Sequence, residues 1–202
     1  METDMGIQER KEREKEAFRK LIIATAHELV SKHGLEGLTM RALAQTIEYS
    51  QSKIYEFFKN KDQLCEVLCE ELCEKLMAIV KQISNELEPD KYLTELILKV
   101  VEFHATYPHS EELFTLVCFG PKRFKVPQAY LDMEVYPIAA VKNLKSPYIK
   151  TDEEVLIALD IIRCFKIGIA TLMASETSLE SKKRVYTMAE NIVKVLIRGW
   201  HH

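Results

Sequence analysis

Long apolar runs are missing from this chain of 202 residues. None approaches the roughly eighteen uninterrupted apolar positions that would suggest a membrane span. No apolar segment opens the chain in the manner of a secretory signal, and the five cysteines, an odd number, contain no C-x-x-C pair. A reduced cytoplasm is therefore the expected location, with neither a disulfide framework nor a metal site or cofactor expected. Alternating strand patterns, internal repeats and low-complexity linkers are absent as well. There is no Gly-rich phosphate loop and no nucleophile with a base at a usable spacing, which argues against an enzyme. The adjacent acids Glu111 with Glu112 and Glu153 with Glu154 point in different directions on a helix, so they read as solvated faces. A basic excess is also missing: the net charge is −3 and the pI about 6.1, so bulk charge does not suggest nucleic acid.

What is present is helical periodicity from end to end, with 47% hydrophobic residues to fill a sizeable core. The organising stretch runs from Thr39 to Leu64. Met40, Leu43, Ala44 and Ile47 recur at spacings of three and four, and Thr39 stands where a cap is needed, so a helix is expected from Met40 to Thr46. A second begins after Ser50 and turns Ile54, Phe57 and Phe58 toward a core. Its first turn and a half then exposes Ser50, Gln51, Ser52 and Lys53. Two short helices joined by a tight turn form a helix-turn-helix, in which the start of the second helix meets base edges in the major groove.

The side chains suit that task. Gln51 and Lys53 are long donors for adenine or guanine edges, and Ser50 and Ser52 suit base or phosphate. Tyr55 is placed to hold a backbone phosphate, and Arg41 and Lys59 add local positive charge. Lys61 opens the next helix, where charge and free amides would together seat a phosphate. At Thr39, Leu43, Ala44, Ser50, Ile54, Tyr55, Phe58, Lys61, Asp62 and Leu64 the chain resembles the TetR family of bacterial transcriptional regulators. Two residues depart from its pattern. Glu48 replaces the usual glycine of the turn, at a cost of roughly 1 kcal/mol if φ is positive, and Tyr49 replaces a small aliphatic residue.

The resemblance implies an all-α fold of about nine helices. An N-terminal three-helix DNA-binding domain over 1–60 would precede an effector-binding and dimerisation domain over 61–202. Before the organising stretch, a polar lead over Met1 to Lys15 is expected to fray. Helix 1 follows from Glu14 to His33, with Gly34 as its stop. After the stretch, a long helix is expected from Lys61 to Leu87 and another from Pro89 to Tyr107. A short helix spans Ser110 to Phe119, and one after Pro127 should kink or break at Pro137. Two more helices run over Asp152 to Ser175 and Leu179 to Trp200.

The aromatic middle third reads, residue by residue, as plain core or as an apolar cavity with a few polar anchors, and the resemblance implies an effector pocket there. The expected lining is Cys69, Phe103, His104, Tyr107, Phe114, Cys118, Tyr130 and Phe165. The helix from Asp152 is apolar nearly all round and must be covered on more than one side. By the resemblance, Ile162, Ile169, Ala189, Val193 and Leu196 form half of a four-helix homodimer interface, with an intramolecular core as the alternative.

The function implied is a homodimeric regulator, with repression as the favoured mode. It would bind double-stranded palindromic DNA and be released by a small apolar or aromatic effector. Two rivals stand beside it. One is a thiol-based redox regulator using Cys65, Cys69, Cys73, Cys118 or Cys164, although the four-residue spacing of the first three reads first as core packing. The other is an all-α enzyme or binding protein.

Overall fold

The computed structural model describes residues 2–121, 124–176 and 178–201, with side chains from residue 7 onward. All regular structure among them is helical, in ten segments. The tenth arises because the helix expected after Pro127 is two helices. The chain forms two compact units, one ending at Leu68 and the other beginning at Cys69. That division falls two turns inside α4.

In the first unit, α1 (Glu2–Gly37) is interrupted at Gly34, where φ is 66° and ψ −173°. Glycine alone adopts that backbone without penalty, so the helical run proper stops where expected. The polar lead is helical rather than frayed, and carries i,i+4 ion pairs such as Arg10 to Glu14 at 2.9 Å. The buried stripe of α1 is Ile22, Ile23, Thr25, Ala26 and Val30. Leu21, beside that stripe, lies 44% exposed.

Helix α2 (Met40–Thr46) is capped by Thr39, whose Oγ1 accepts from the Ala42 amide at 3.0 Å. Helix α3 (Gln51–Tyr55) is capped by Ser50, whose Oγ accepts from the Lys53 amide at 3.2 Å. Met40, Leu43, Ala44, Ile54 and Phe58 are buried, and α2 packs against both α1 and α3.

Helix α4 (Lys61–Val80) contributes its first eight residues to the first unit and the remainder to the second. It ends seven residues before Leu87. The Gln82 and Ile83 amides turn to the Ile79 and Val80 carbonyls, and Ser84 Oγ accepts from the Glu86 amide. A serine that bonds its own backbone offers the chain an alternative to continuing the helix.

In the second unit, α5 (Pro89–Thr106) is the central element and packs against α8 (Val135–Asn143), α9 (Asp152–Ser175) and α10 (Leu179–His201). Helix α6 (Ser110–Cys118) follows α5 and touches α9; α7 (Gln128–Met133) leads into α8. The break between α7 and α8 falls at Glu134, three residues before Pro137. Proline then occupies the first turn of α8, where its missing N–H costs nothing. Helix α9 starts on a reciprocal cap: Thr151 Oγ1 accepts from the Glu154 amide at 3.2 Å, and Glu154 accepts from the Thr151 amide at 2.9 Å. Val101, Ile169, Met173, Val185 and Ala189 form a core cluster where α5, α9 and α10 meet.

Candidate functional site

The turn between α2 and α3 is a Schellman motif. The Tyr49 amide reaches the Ala44 carbonyl at 2.9 Å and the Glu48 amide reaches the Gln45 carbonyl at 3.2 Å. This closure requires a left-handed residue at Glu48, where φ is 59°. The departure from glycine therefore leaves the turn geometry intact and strains one residue. Tyr49 is accommodated on the outside, 51% exposed, with its ring edge-on to Phe18 at 4.6 Å; Phe18 also meets Phe57 at 5.1 Å. Replacing Glu48 with Gly should raise stability by about 0.5 to 1 kcal/mol, the left-handed strain relieved less the added chain entropy. Urea unfolding followed by circular dichroism checks this; no gain in midpoint would mean the strain is relaxed elsewhere.

The start of α3 presents Ser50, Gln51, Ser52 and Tyr55 to solvent, with Thr39, Arg41 and Lys59 also exposed. Lys53 is not free: its Nζ lies 2.6 Å from Glu56 Oε2 and within 6.0 Å of the Phe18 and Phe57 ring centroids. Exposed pairs of this kind are worth less than about 1 kcal/mol, so exchange of Glu56 for a base edge is inexpensive. Lys61 differs more from expectation. Its ammonium donates to the Leu35 carbonyl at 2.6 Å, anchoring the turn after α1. The start of α4 is occupied too: Asn60 Oδ1 accepts from the Gln63 amide and Gln63 Oε1 accepts from the Lys59 amide, each at 2.8 Å. This end of α4 is capped by its own sequence rather than left open for phosphate.

In the second unit a cavity of about 60 Å³ lies among Leu76, Leu93, Ile97, Val100, Phe114 and Ile162. Of the expected lining, His104, Phe114 and Tyr130 are present. Phe103, Tyr107 and Phe165 do not line it: Phe103 is fully buried, tilted against Tyr107 at 4.7 Å, and Phe165 packs on the core cluster. Two charged residues not anticipated, Glu134 and Lys166, complete the wall. Burial pulls the Lys166 ammonium below its ordinary range, opposed by Glu111 and Glu134. Burial also holds the Tyr130 phenol well above its ordinary range, reinforced by neighbouring Glu134. His104 is buried; its Nδ1 meets Ser110 Oγ at 2.7 Å. Its Nε2 lies 2.8 Å from Glu111 Oε2 without the alignment of a hydrogen bond.

Cys69 and Cys118 are also absent from the cavity wall, and belong to a different arrangement. Cys69 and Cys73, one turn apart on α4, meet Cys118 at the end of α6. The Cys69 sulfur is 4.0 Å from that of Cys73 and 3.9 Å from that of Cys118. Cys69 and Cys73 are fully buried and Cys118 partly so. Hydrogen bonds from Cys69 and Cys73 pull Cys118 down to about 5, while contact with Cys118 pushes both of those thiols up. Cys65 lies outside the group, pushed up to about 11 by burial, and Cys164 is exposed. A trio of possible metal ligands is thus present where none was expected; Cys118 stands 49 residues from Cys69, beyond any local spacing rule.

The expected dimer residues are placed differently again. Ile162, Ile169, Ala189 and Val193 are buried within the chain itself, with Leu196 half-buried. The opposite face of α9 carries Ile157, Ile161, Cys164, Gly168 and Leu172 at spacings of three and four, all exposed. On α10, Met188, Val195 and Gly199, spaced by seven and four, are exposed as well. A Cβ added at Gly168 or Gly199 would meet nothing within 4 Å, so both glycines open onto free surface.

A capped helix, a Schellman turn and an exposed second helix, in an all-α chain, define a helix-turn-helix DNA-binding protein. Residues 22–68, the stretch that holds the helix-turn-helix, match the model of the bacterial regulatory proteins, tetR family. No curated protein matches it in sequence. The fold is shared with a single-residue variant of TetR from Acinetobacter baumannii AYE in complex with minocycline (TM-score 0.66, 18% identity, 88% of this chain and 93% of that one). It is shared too with the ketosteroid transcriptional regulator KstR2 of Mycobacterium tuberculosis (0.66, 14%, 91% and 95%). A third similar structure is BioQ of Mycobacterium smegmatis (0.65, 15%, 89% and 95%). No helix among the described residues is long and apolar enough to cross a membrane.

Proposed function

We propose that the chain is a ligand-responsive regulator, acting as a repressor, that binds a palindromic operator as a homodimer and is released by a small apolar or aromatic effector. The observation that carries this reading is the exposed first turn of α3, presented by the closed turn at Glu48. Gln51 and Lys53 then read base edges while Ser50, Ser52, Tyr55, Thr39 and Arg41 hold phosphates. Lys61 acts indirectly, by fixing the turn after α1 through Leu35. In a helix-turn-helix dimer the half-sites lie roughly 34 to 36 Å apart, or a multiple of that.

The second copy seats on the exposed faces of α9 and α10, where the two open glycines allow close helix approach. The effector enters the cavity at His104, Phe114, Tyr130, Glu134 and Lys166. Apolar walls favour an apolar or aromatic body, and the half-buried charges favour one polar end; the shared fold of a minocycline-bound regulator supports the same class of site. At about 60 Å³ the cavity is far below the roughly 300 to 1,000 Å³ of drug-sized sites, so binding must spread its walls. Release of DNA follows only if the effector prefers the spread state, since equal affinity for both would shift nothing. Helix α4 lines the cavity through Leu76 and Val80 and also supplies residues to the first unit, which makes it the element to carry that change.

Selection of bound duplexes from a random library, at moderate and stated salt, tests the reading. A palindrome should be enriched. Lys53→Ala should weaken its binding by about 1 to 3 kcal/mol and relax specificity at one position in each half-site. Failure to enrich any sequence, with folded dimer, would sink the regulator reading; an unchanged affinity for Lys53→Ala would remove that residue from the base contacts.

A further inference from the structure

We propose that Cys69, Cys73 and Cys118 form a three-coordinate thiolate site for a soft monovalent cation, copper(I). All three sulfurs lie within 4.8 Å of one another, with two of the separations at 3.9 and 4.0 Å. A point equidistant from sulfurs so spaced is about 2.3 to 2.5 Å from each, close to the roughly 2.3 Å typical of a metal–thiolate bond. The ion therefore fits without rearranging the helices.

Ligand number and type select the ion. Thiolates favour copper(I), zinc and iron–sulfur clusters. Clusters take four cysteines, and structural zinc takes four ligands. Here the group has three sulfurs, and no histidine or carboxylate among the described residues joins it. Two of the sulfurs are fully buried, which disfavours an open, water-filled fourth position; copper(I) is satisfied by three soft donors. Cys118, partly exposed at the end of α6, supplies the route of entry by ligand exchange. Cys69 and Cys73 each give up a thiol proton to solvent as their copper–sulfur bonds form, Cys118 binds as the thiolate it already is, and copper remains copper(I) throughout. The bound ion ties α4 to α6 through a contact that is otherwise only sulfur against sulfur.

The site stands on its geometry and is independent of the regulator reading. The test titrates fully reduced protein, in the absence of oxygen, with copper(I) against a chromophoric copper(I) chelator, while thermal unfolding is followed in parallel. One equivalent per chain should be retained, with a rise in Tm on loading. Cys118→Ser, shown to be folded by circular dichroism, should lose affinity by at least the roughly 10- to 100-fold that loss of even a supporting partner costs at metal sites. Cys65→Ala, outside the trio and shown to be folded, should bind as the parent does. X-ray absorption should report three sulfurs at roughly 2.3 Å. Binding unchanged in Cys118→Ser, or equal loss in Cys65→Ala, would overturn the site. Tighter retention of zinc(II) than of copper(I) would overturn the choice of ion. A metal-free product lighter by two hydrogens would overturn the proposal in favour of a disulfide.

Discussion

A chain carrying Leu172→Asp and Val195→Asp together should elute as a folded monomer and lose operator affinity by roughly 10²- to 10⁴-fold, the contribution of a second tethered head. Leu172 and Val195 are 42% and 66% exposed, on the faces of α9 and α10 that point away from α5. A substitution at such a surface changes the stability of an isolated subunit by only about 0.5 kcal/mol. In a two-fold interface each change occurs twice, so four carboxylates would be driven into one apolar contact. Burying unpaired charge costs several kcal/mol for each ion, enough to dissociate a contact of ordinary size.

The contrasting variant is Val193→Asp. Val193 is fully buried inside the chain, so its replacement should unfold the subunit rather than release a monomer. Analytical ultracentrifugation with circular dichroism separates the two outcomes. A double variant that remains dimeric would move the interface off these faces.

That inversion of faces shows where sequence reasoning stops. Helix α9 was legible in its ends, because Thr151 and Glu154 make a local reciprocal cap and Glu176 follows at the stop. Which side of it goes inside was not legible, because a helix apolar nearly all round has no moment that chooses a face. The choice is made by α5 and α10, through partners such as Val101 and Ala189 that are distant in the chain. The α2–α3 region was legible almost to the residue, since caps, spacing and turn closure are all local there. Even the strain at Glu48 followed from one residue standing in a position that favours glycine.

The reach of Lys61 to Leu35 spans 26 residues, whereas the sequence around Lys61 speaks only of its own helix. Glu134 and Lys166 escape notice for a related reason. A charged residue in an amphipathic pattern reads as solvated, and only the packing of α7, α8 and α9 takes these two into the cavity wall. Cys118 carries no local signal for its partners; the thiol trio exists because α6 ends against α4.

Replacing Phe114 with Ala should lower stability by about 3 to 5 kcal/mol, and the loss should be partly restored by a small aromatic compound such as benzene or indole. Phe114 is 4% exposed, lies 6.2 Å from Phe103 in a stacked pair and 5.6 Å edge-on from His104, and forms part of the cavity wall. Truncation removes those contacts and adds the volume of a phenyl ring to an existing cavity of about 60 Å³. Because the cavity is already there, the enlarged space is continuous and apolar rather than a set of isolated gaps, the condition under which a small ring can re-enter. A compound present at about a hundred times its Kd would return about 2.7 kcal/mol. Thermal unfolding with and without the compound measures both halves. If Phe114→Ala is destabilised but no aromatic restores it, the wall collapses on truncation, and the space beside His104 and Tyr130 is packing rather than an effector site. If the parent is stabilised by the same compound as strongly as the variant, the walls spread without help from the mutation, and the effector reading gains a direct handle.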